Sequence, residues 1–197
     1  QLVHCTNPRN NDLELIKNSN VVVCPRANAT LNVGVVPLNE MFSKGIKPLL
    51  GSDNLMLNSP NLFRELEFSL KIMSVYYKNY LNPKDLLKTA TTNICNFEIN
   101  RYIEKPVIDV NQEANLFISK KYSKNPYLNI INRCGTKDIL YIMNTFGIFQ
   151  KQDILKKISP VTFIISGKTA NKKELQDLKF NQEYELLFYN YDEITVR

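Results

Sequence analysis

The stretch over residues 21–58 limits the fold more than any other part of this chain. It holds two short apolar runs, Val21-Val22-Val23 and Leu49-Leu50, each ending in a polar cluster. The first cluster is Cys24-Pro25-Arg26-Ala27-Asn28 and the second is Gly51-Ser52-Asp53-Asn54. Between them the sequence predicts a helix, with Pro37 as its first residue, where a missing N–H costs nothing, and Gly45 as its stop. Strand, loop, helix, strand, loop is the grammar of parallel βα units. In such folds the polar residues just past the strand ends form the functional rim.

The flanking sequence extends the pattern. His4, the only histidine, ends the apolar pair Leu2-Val3. Residues 12–17 predict a short helix with Asn10 or Asn11 as its N-cap, and Asn18-Ser19-Asn20 turns the chain into Val21. Strand ends at His4, Cys24 and Asp53 thus lie 20 and 29 positions apart, spacings that suit right-handed βαβ crossovers. Ser59-Pro60 offers a cap and first turn for a long helix. Along it Leu62, Leu66, Leu70, Met73 and Tyr77 recur at helical spacing, a stripe that reads as core. Asn82-Pro83 opens another helix, with Asp85 in its first turn and Leu86, Leu87 and Ala90 along it, fading near Phe97.

From about residue 98 the helical period gives way to short apolar runs broken by turns: Val107-Ile108, Leu116-Phe117-Ile118 and residues 139–143. Asn144 to Gly147 reads as a hairpin connection to Ile148-Phe149. The tail predicts strands at 161–165 and 184–189 around a charged helix near 172–178. Three regions follow: 1–97 as the α/β part, 98–158 as a small β-sandwich portion, and 159–197 as an αβ appendage.

Composition narrows the partners. A chain of 197 residues with 44% hydrophobic residues buries a real core. No apolar run approaches the about 20 residues that span a bilayer, and no signal-peptide pattern opens the chain, so a membrane is not an expected partner. The net charge of +6 invites nucleic acid. The lysines, however, are scattered or merely paired (Lys120-Lys121, Lys156-Lys157, Lys172-Lys173), without the interleaved aromatics of a base-stacking groove. Cysteines at 5, 24, 95 and 134 form no CxxC pair, which suits buried thiols in a reducing cytoplasm rather than disulfides or a cysteine zinc site.

Two residues could carry chemistry. Asp53 could simply cap a turn, and a lone histidine is more often structural than catalytic. In a parallel barrel, however, strand C-termini converge on one mouth, so His4 and Asp53 could meet there. Such a pair suits a divalent metal that activates water, although zinc normally takes three or four protein ligands. Nothing else in the chain completes a set.

His4-Cys5, Cys24-Pro25-Arg26-Ala27-Asn28, Gly34, Pro37, Gly51-Ser52-Asp53-Asn54 and Asn58 together resemble the C-terminal half of the amidohydrolase superfamily. The branch most similar is that of the aminohydrolases that deaminate nucleosides and related heterocycles, with their chlorohydrolase relatives. There one strand ends in His-Cys, the next in a Cys-Pro-x-Ser-Asn type loop and the eighth in Gly-Thr-Asp. The resemblance covers roughly residues 1–150 and is strongest over 21–62. Ala90-Thr91-Thr92-Asn93 and the segment from Glu113 to Ile118 resemble the helix after the barrel and the re-entry into a small β-sandwich. Ala27 stands where Ser is usual and lacks its hydroxyl, Ser52 stands where Thr is usual, and Asn115 where Asp is usual.

The resemblance implies an α/β fold: strands six to eight of a (β/α)8 TIM barrel, then part of a small β-sandwich and an αβ tail. It implies a hydrolase acting on a C–N bond, by deamination of a heterocyclic amine or hydrolysis of a cyclic amide, with zinc or a similar divalent metal. Asp53 becomes the eighth-strand aspartate, a metal ligand that also accepts a proton from the attacking water. His4 becomes the sixth-strand histidine, which binds a second metal in binuclear members and hydrogen-bonds the water in mononuclear ones. Arg26 and Asn28 fall in the loop where substrate contacts are expected, a structural loop role being equally open; Asn54 and Asn58 read as loop-shaping.

The family's first-strand His-x-His, fifth-strand histidine and glutamate shuttle have no counterpart here, and a complete barrel takes about 250 residues. A three-stranded remnant would also expose an apolar edge. The expected partners are therefore a small-molecule substrate and an N-terminal half or partner chain, with homo-oligomers left open. The opening Gln1-Leu2-Val3-His4-Cys5, which reads as strand interior, points the same way. Alone, the chain is expected to be inactive. The rival reading is a barrel remnant that serves as a structural or subunit-interaction module.

Overall fold

A computed structural model describes residues 1–9, 11–96, 115–144 and 146–150, together with the backbone of 188–190 and 193–195. The first layer is a parallel sheet of three very short strands, β1 (Leu2–Val3), β2 (Val21–Val23) and β3 (Leu49–Leu50), lying side by side in chain order. Leu2 pairs with Val21 and Val22 with Leu49. Past the strands the ladder continues, with the His4 N–H donating to the Val22 carbonyl (2.9 Å) and the Gly51 N–H to the Val23 carbonyl (2.8 Å). The three strand ends are thereby locked at one level.

Helices connect and cover the strands. α1 (Asp12–Leu15) is shorter than the 12–17 expected, and Asn11 at its N-cap makes no side-chain bond. The cap work goes instead to Asp12, which accepts the Arg9 N–H (2.8 Å). The polar cluster after β2 is itself helical, forming α2 (Pro25–Thr30), with Pro25 in the first turn where its fixed φ suits a helix. α3 (Leu38–Ser43) follows Pro37, and Gly45 at φ +76° supplies the left-handed stop.

α4 (Leu62–Tyr76) starts at Asn61 rather than Ser59; the Asn61 side chain accepts the Arg64 N–H. Ser59 is otherwise engaged, its carbonyl accepting from Arg26 and its hydroxyl from Arg64. Leu66, Leu70 and Met73 are buried as the stripe predicts, each worth about 1.5–3 kcal/mol of burial, whereas Leu62 is exposed. α5 (Pro83–Thr89) opens where predicted, with Asn82 accepting the Lys84 N–H, and a 3-10 turn (Thr92–Asn96) follows it.

The second layer is an antiparallel sheet, β4 (Leu116–Ser119), β5 (Ile139–Asn144) and β6 (Gly147–Gln150). Its hairpin pairs Asn144 with Gly147. Between β4 and β5 lies α6 (Pro126–Asn132), absent from the sequence expectation. It packs on α4 and α5, and its Ile131 joins the core cluster of Val21, Val23, Leu50, Leu66 and Leu70. A last hairpin pairs β7 (Phe188–Asn190) with β8 (Glu193–Thr195). The expected boundary at 97/98, the run at 107–108, and most of the 159–197 appendage lie outside the described residues. Among the described residues, no helix is long and apolar enough to cross a membrane.

Candidate active site

The ends of β1 and β3, which flank β2 in the sheet, bring His4 and Asp53 together. His4 and Asp53, 49 positions apart in sequence, face each other with imidazole Nε2 3.9 Å from carboxylate Oδ2. Both turn out of their strands in the left-handed region, His4 at φ +72° and Asp53 at +61°. Such backbone is uncommon outside glycine and costs free energy, and it clusters at functional sites.

Each partner is anchored from behind. The His4 Nδ1 lies 2.8 Å from Oδ1 of Asn28, in the middle of α2. Asp53 Oδ1 accepts the Asn54 N–H (2.8 Å). Asn54 in turn accepts the N–H groups of Met56 and Leu57, which closes the loop after β3. Asn28 is buried, while His4 and Asp53 keep 37% and 24% of their side chains exposed, so the pair opens outward over a solid floor. Gly51 is part of that floor: a Cβ there would come within 3.1 Å of Val22 and 3.3 Å of the Cys24 sulfur.

Cys24 is buried beside Gly51, within electrostatic reach of Asp53. Burial pushes its thiol up to about 11, helped by the Asp53 and Glu65 carboxylates. It therefore stays protonated and serves as packing, not as a nucleophile.

Arg26 takes a different direction. Its guanidinium donates to Oε1 of Glu65 (3.2 Å), to Oδ1 of Asn58 (3.1 Å) and to the Ser59 carbonyl (3.3 Å), and its backbone N–H donates to Glu65 Oε2 (3.2 Å). Glu65 is wholly buried, and burial raises its pKa despite Arg26. Arg26 and Asn58 thus rivet the loop after β3 and the start of α4 to α2. Ala27 is also wholly buried, so a hydroxyl at this position would face the core. The sequence gives no signal for Glu65, because it falls on the buried side of α4 among the apolar residues of the stripe.

An imidazole nitrogen and a carboxylate oxygen are donors that zinc accepts, and 3.9 Å is too long for a direct hydrogen bond. The pair therefore fits as part of a metal site and as less than all of one. Among the described residues no group of three His, Cys, Asp or Glu side chains could hold a metal ion.

The model of the amidohydrolase family matches residues 1–170. A Methanothermobacter thermautotrophicus protein named "putative aminohydrolase" is 42% identical over 144 residues, which span 72% of this chain and 36% of that protein. A 5-methylthioadenosine/S-adenosylhomocysteine deaminase from Thermoanaerobacter pseudethanolicus is 30% identical over 124 residues, 55% of this chain and 29% of the deaminase. Among solved structures, an adenosine deaminase from Xanthomonas campestris with bound zinc superposes with a TM-score of 0.68 at 17% identity, over 77% of this chain and 37% of that one. The guanine deaminase of E. coli superposes at 0.63 and 15% identity, over 76% and 39%. The chain spans between 29% and 39% of the length of these proteins.

Proposed function

The chain belongs to the amidohydrolase family, and from that premise we propose that it forms the C-terminal side of a metal-dependent hydrolase site cleaving a C–N bond. The substrate class is a heterocyclic amine, deaminated by water, or a cyclic amide. The deaminase names among its relatives favour the amine. The observation that carries the reading is the meeting of His4 and Asp53 at 3.9 Å from two different strand ends.

In this reading Asp53 and His4 hold a divalent metal, with the remaining ligands contributed by residues beyond this chain. When bound, the metal supplies the Lewis acidity that makes water nucleophilic near neutral pH. The Asp53 carboxylate accepts the proton that the attacking water loses and passes it toward the leaving nitrogen. His4 holds the water, or the second metal of a binuclear site, through Nε2. Arg26 turns its guanidinium to Glu65 and Asn58, and Asn28 turns its side-chain oxygen to His4, which supports a role in holding the rim rather than touching substrate.

Ammonia release by the full-length enzyme from a panel of amino-purine and amino-pyrimidine compounds tests this. Turnover that disappears in D53N supports it. Retained turnover in D53N would overturn the role given to Asp53, and no hydrolysis by a metal-loaded, folded enzyme of any amine or cyclic amide offered would favour the structural-module reading.

A further inference from the structure

We infer that Asn28 is a positioning residue that fixes the tautomer of His4, keeping the proton on Nδ1 and the lone pair on Nε2. The inference rests on the reading of His4 as a site residue, but its geometry stands independently. A neutral imidazole carries one ring proton, and the ring nitrogen that faces an acceptor is the one that holds it. Nδ1 lies 2.8 Å from the carbonyl oxygen of the Asn28 amide. Among the described residues Nε2 has no such partner, since Asp53 Oδ2 lies at 3.9 Å.

Asn28 has little freedom to do otherwise. It is 1% exposed, its backbone N–H bonds to the Cys24 carbonyl (2.9 Å) and its own carbonyl accepts the Val33 N–H (3.1 Å). The imidazole is clamped between this buried amide on one side and the open mouth on the other. The result is a lone pair at Nε2 beside a carboxylate oxygen, two acceptors aimed at one gap. Such a gap takes a group that offers positive charge or protons to both, such as a cation or a water molecule. The opposite tautomer would put an N–H there and remove one donor to a metal. Partners of this kind that fix a histidine's tautomer typically change metal affinity or activity 10–100-fold, so about that loss is expected on removing the amide.

Asn28 Nδ2 is buried without a hydrogen-bond partner among the described residues. That makes the alternative concrete: an amide turned over would donate Nδ2–H to an unprotonated Nδ1 and impose the other tautomer. Imidazole 15N spectroscopy distinguishes the two. In the full-length enzyme without metal, at alkaline pH, the His4 signal is assigned by its loss in H4N. The expected signature is a protonated Nδ1 and an unprotonated Nε2. In N28A it should move toward the Nε2–H form preferred by a free side chain, with kcat lowered about 10–100-fold and KM much less affected. An unprotonated Nδ1 in the parent enzyme overturns the inference, and so does an unchanged signature in a folded N28A. Neither result depends on turnover, so failure of the hydrolase reading would be seen separately, in D53N.

Discussion

Glu65 receives Arg26 twice, at the guanidinium and at the backbone N–H, both at 3.2 Å. This double grip crosses 39 positions of sequence and ties the first turn of α4 to the first turn of α2, the helix that carries Asn28. The rim of the site therefore rests on one ion pair that is wholly buried on the acidic side.

Removing the cation should expose how much depends on it. In R26M a fully buried carboxylate loses its counter-charge, and the expected loss at neutral pH is about 3–5 kcal/mol. The pH dependence has a definite sign. Burial raises the folded pKa of Glu65 above its unfolded value, so its ionisation costs stability, increasingly as pH rises through that window. Without Arg26 the folded value rises further. Denaturant titrations should show the R26M deficit widening as pH rises from mildly acidic toward neutral and narrowing on acidification. A pH-independent deficit would assign the loss to packing alone.

Asn129 predicts a second buried dependency, under the antiparallel sheet. Its Oδ1 accepts the N–H groups of Tyr122 (2.6 Å) and Ser123 (3.0 Å), and its Nδ2 donates to the Lys120 carbonyl (2.9 Å) and the Cys134 sulfur (3.3 Å). All four capacities of the amide are used. N129D keeps the shape and the acceptors but sets an oxygen against the Lys120 carbonyl. Each buried group left unpaired costs about 1–3 kcal/mol, so N129D should unfold at clearly lower denaturant than the parent.

The neighbouring Asp138 gives an acid-side test. Tyr122 Oη donates to Oδ1 (2.7 Å) and the Gly135 N–H to Oδ2 (3.0 Å), and these bonds hold the carboxyl below its ordinary range. A depressed folded pKa contributes stability above the unfolded value that is lost as pH falls through the folded one. Y122F should therefore be less stable than the parent at neutral pH. The gap should close in strong acid, where the parent's carboxylate is protonated too.

What the sequence disclosed, it disclosed through period and punctuation. The three strand ends were legible because Val21–Val23 and Leu49–Leu50 stop abruptly at polar clusters. α5 was legible from Asn82-Pro83, and α6 carries the same signal in Asn125-Pro126, with Asn125 accepting two N–H groups. That signal is masked by the β-rich runs on either side. α2 was hidden for another reason: a cluster of Pro, Arg and Asn looks like loop when its stabilising partners, Glu65 and Asn58, are more than 30 positions away. The same distance explains Ser59, whose expected cap role fell to Asn61 once its own polar atoms were taken by Arg26 and Arg64. That His4 and Asp53 share a mouth followed from topology; that Asn28 stands behind His4 is a matter of rotamers, which no spacing encodes.

The left-handed backbone at Asp53 allows function to be separated from fold. Asn is the residue best able to replace Asp at φ +61°, and its side-chain oxygen can still accept the Asn54 N–H. D53N is therefore expected to stay within about 0.5 kcal/mol of the parent, while turnover falls by about 10²–10⁴ through loss of the proton acceptor. Valine at the same place would add a β-branched side chain to strained backbone and drop the Asn54 cap, a combined cost of about 1–3 kcal/mol. Unfolding curves and ammonia release measured on both variants make the separation visible. If D53N destabilised the protein as much as D53V, the carboxylate would be holding the loop rather than handling a proton, and the assignment of Asp53 to the chemistry would fail.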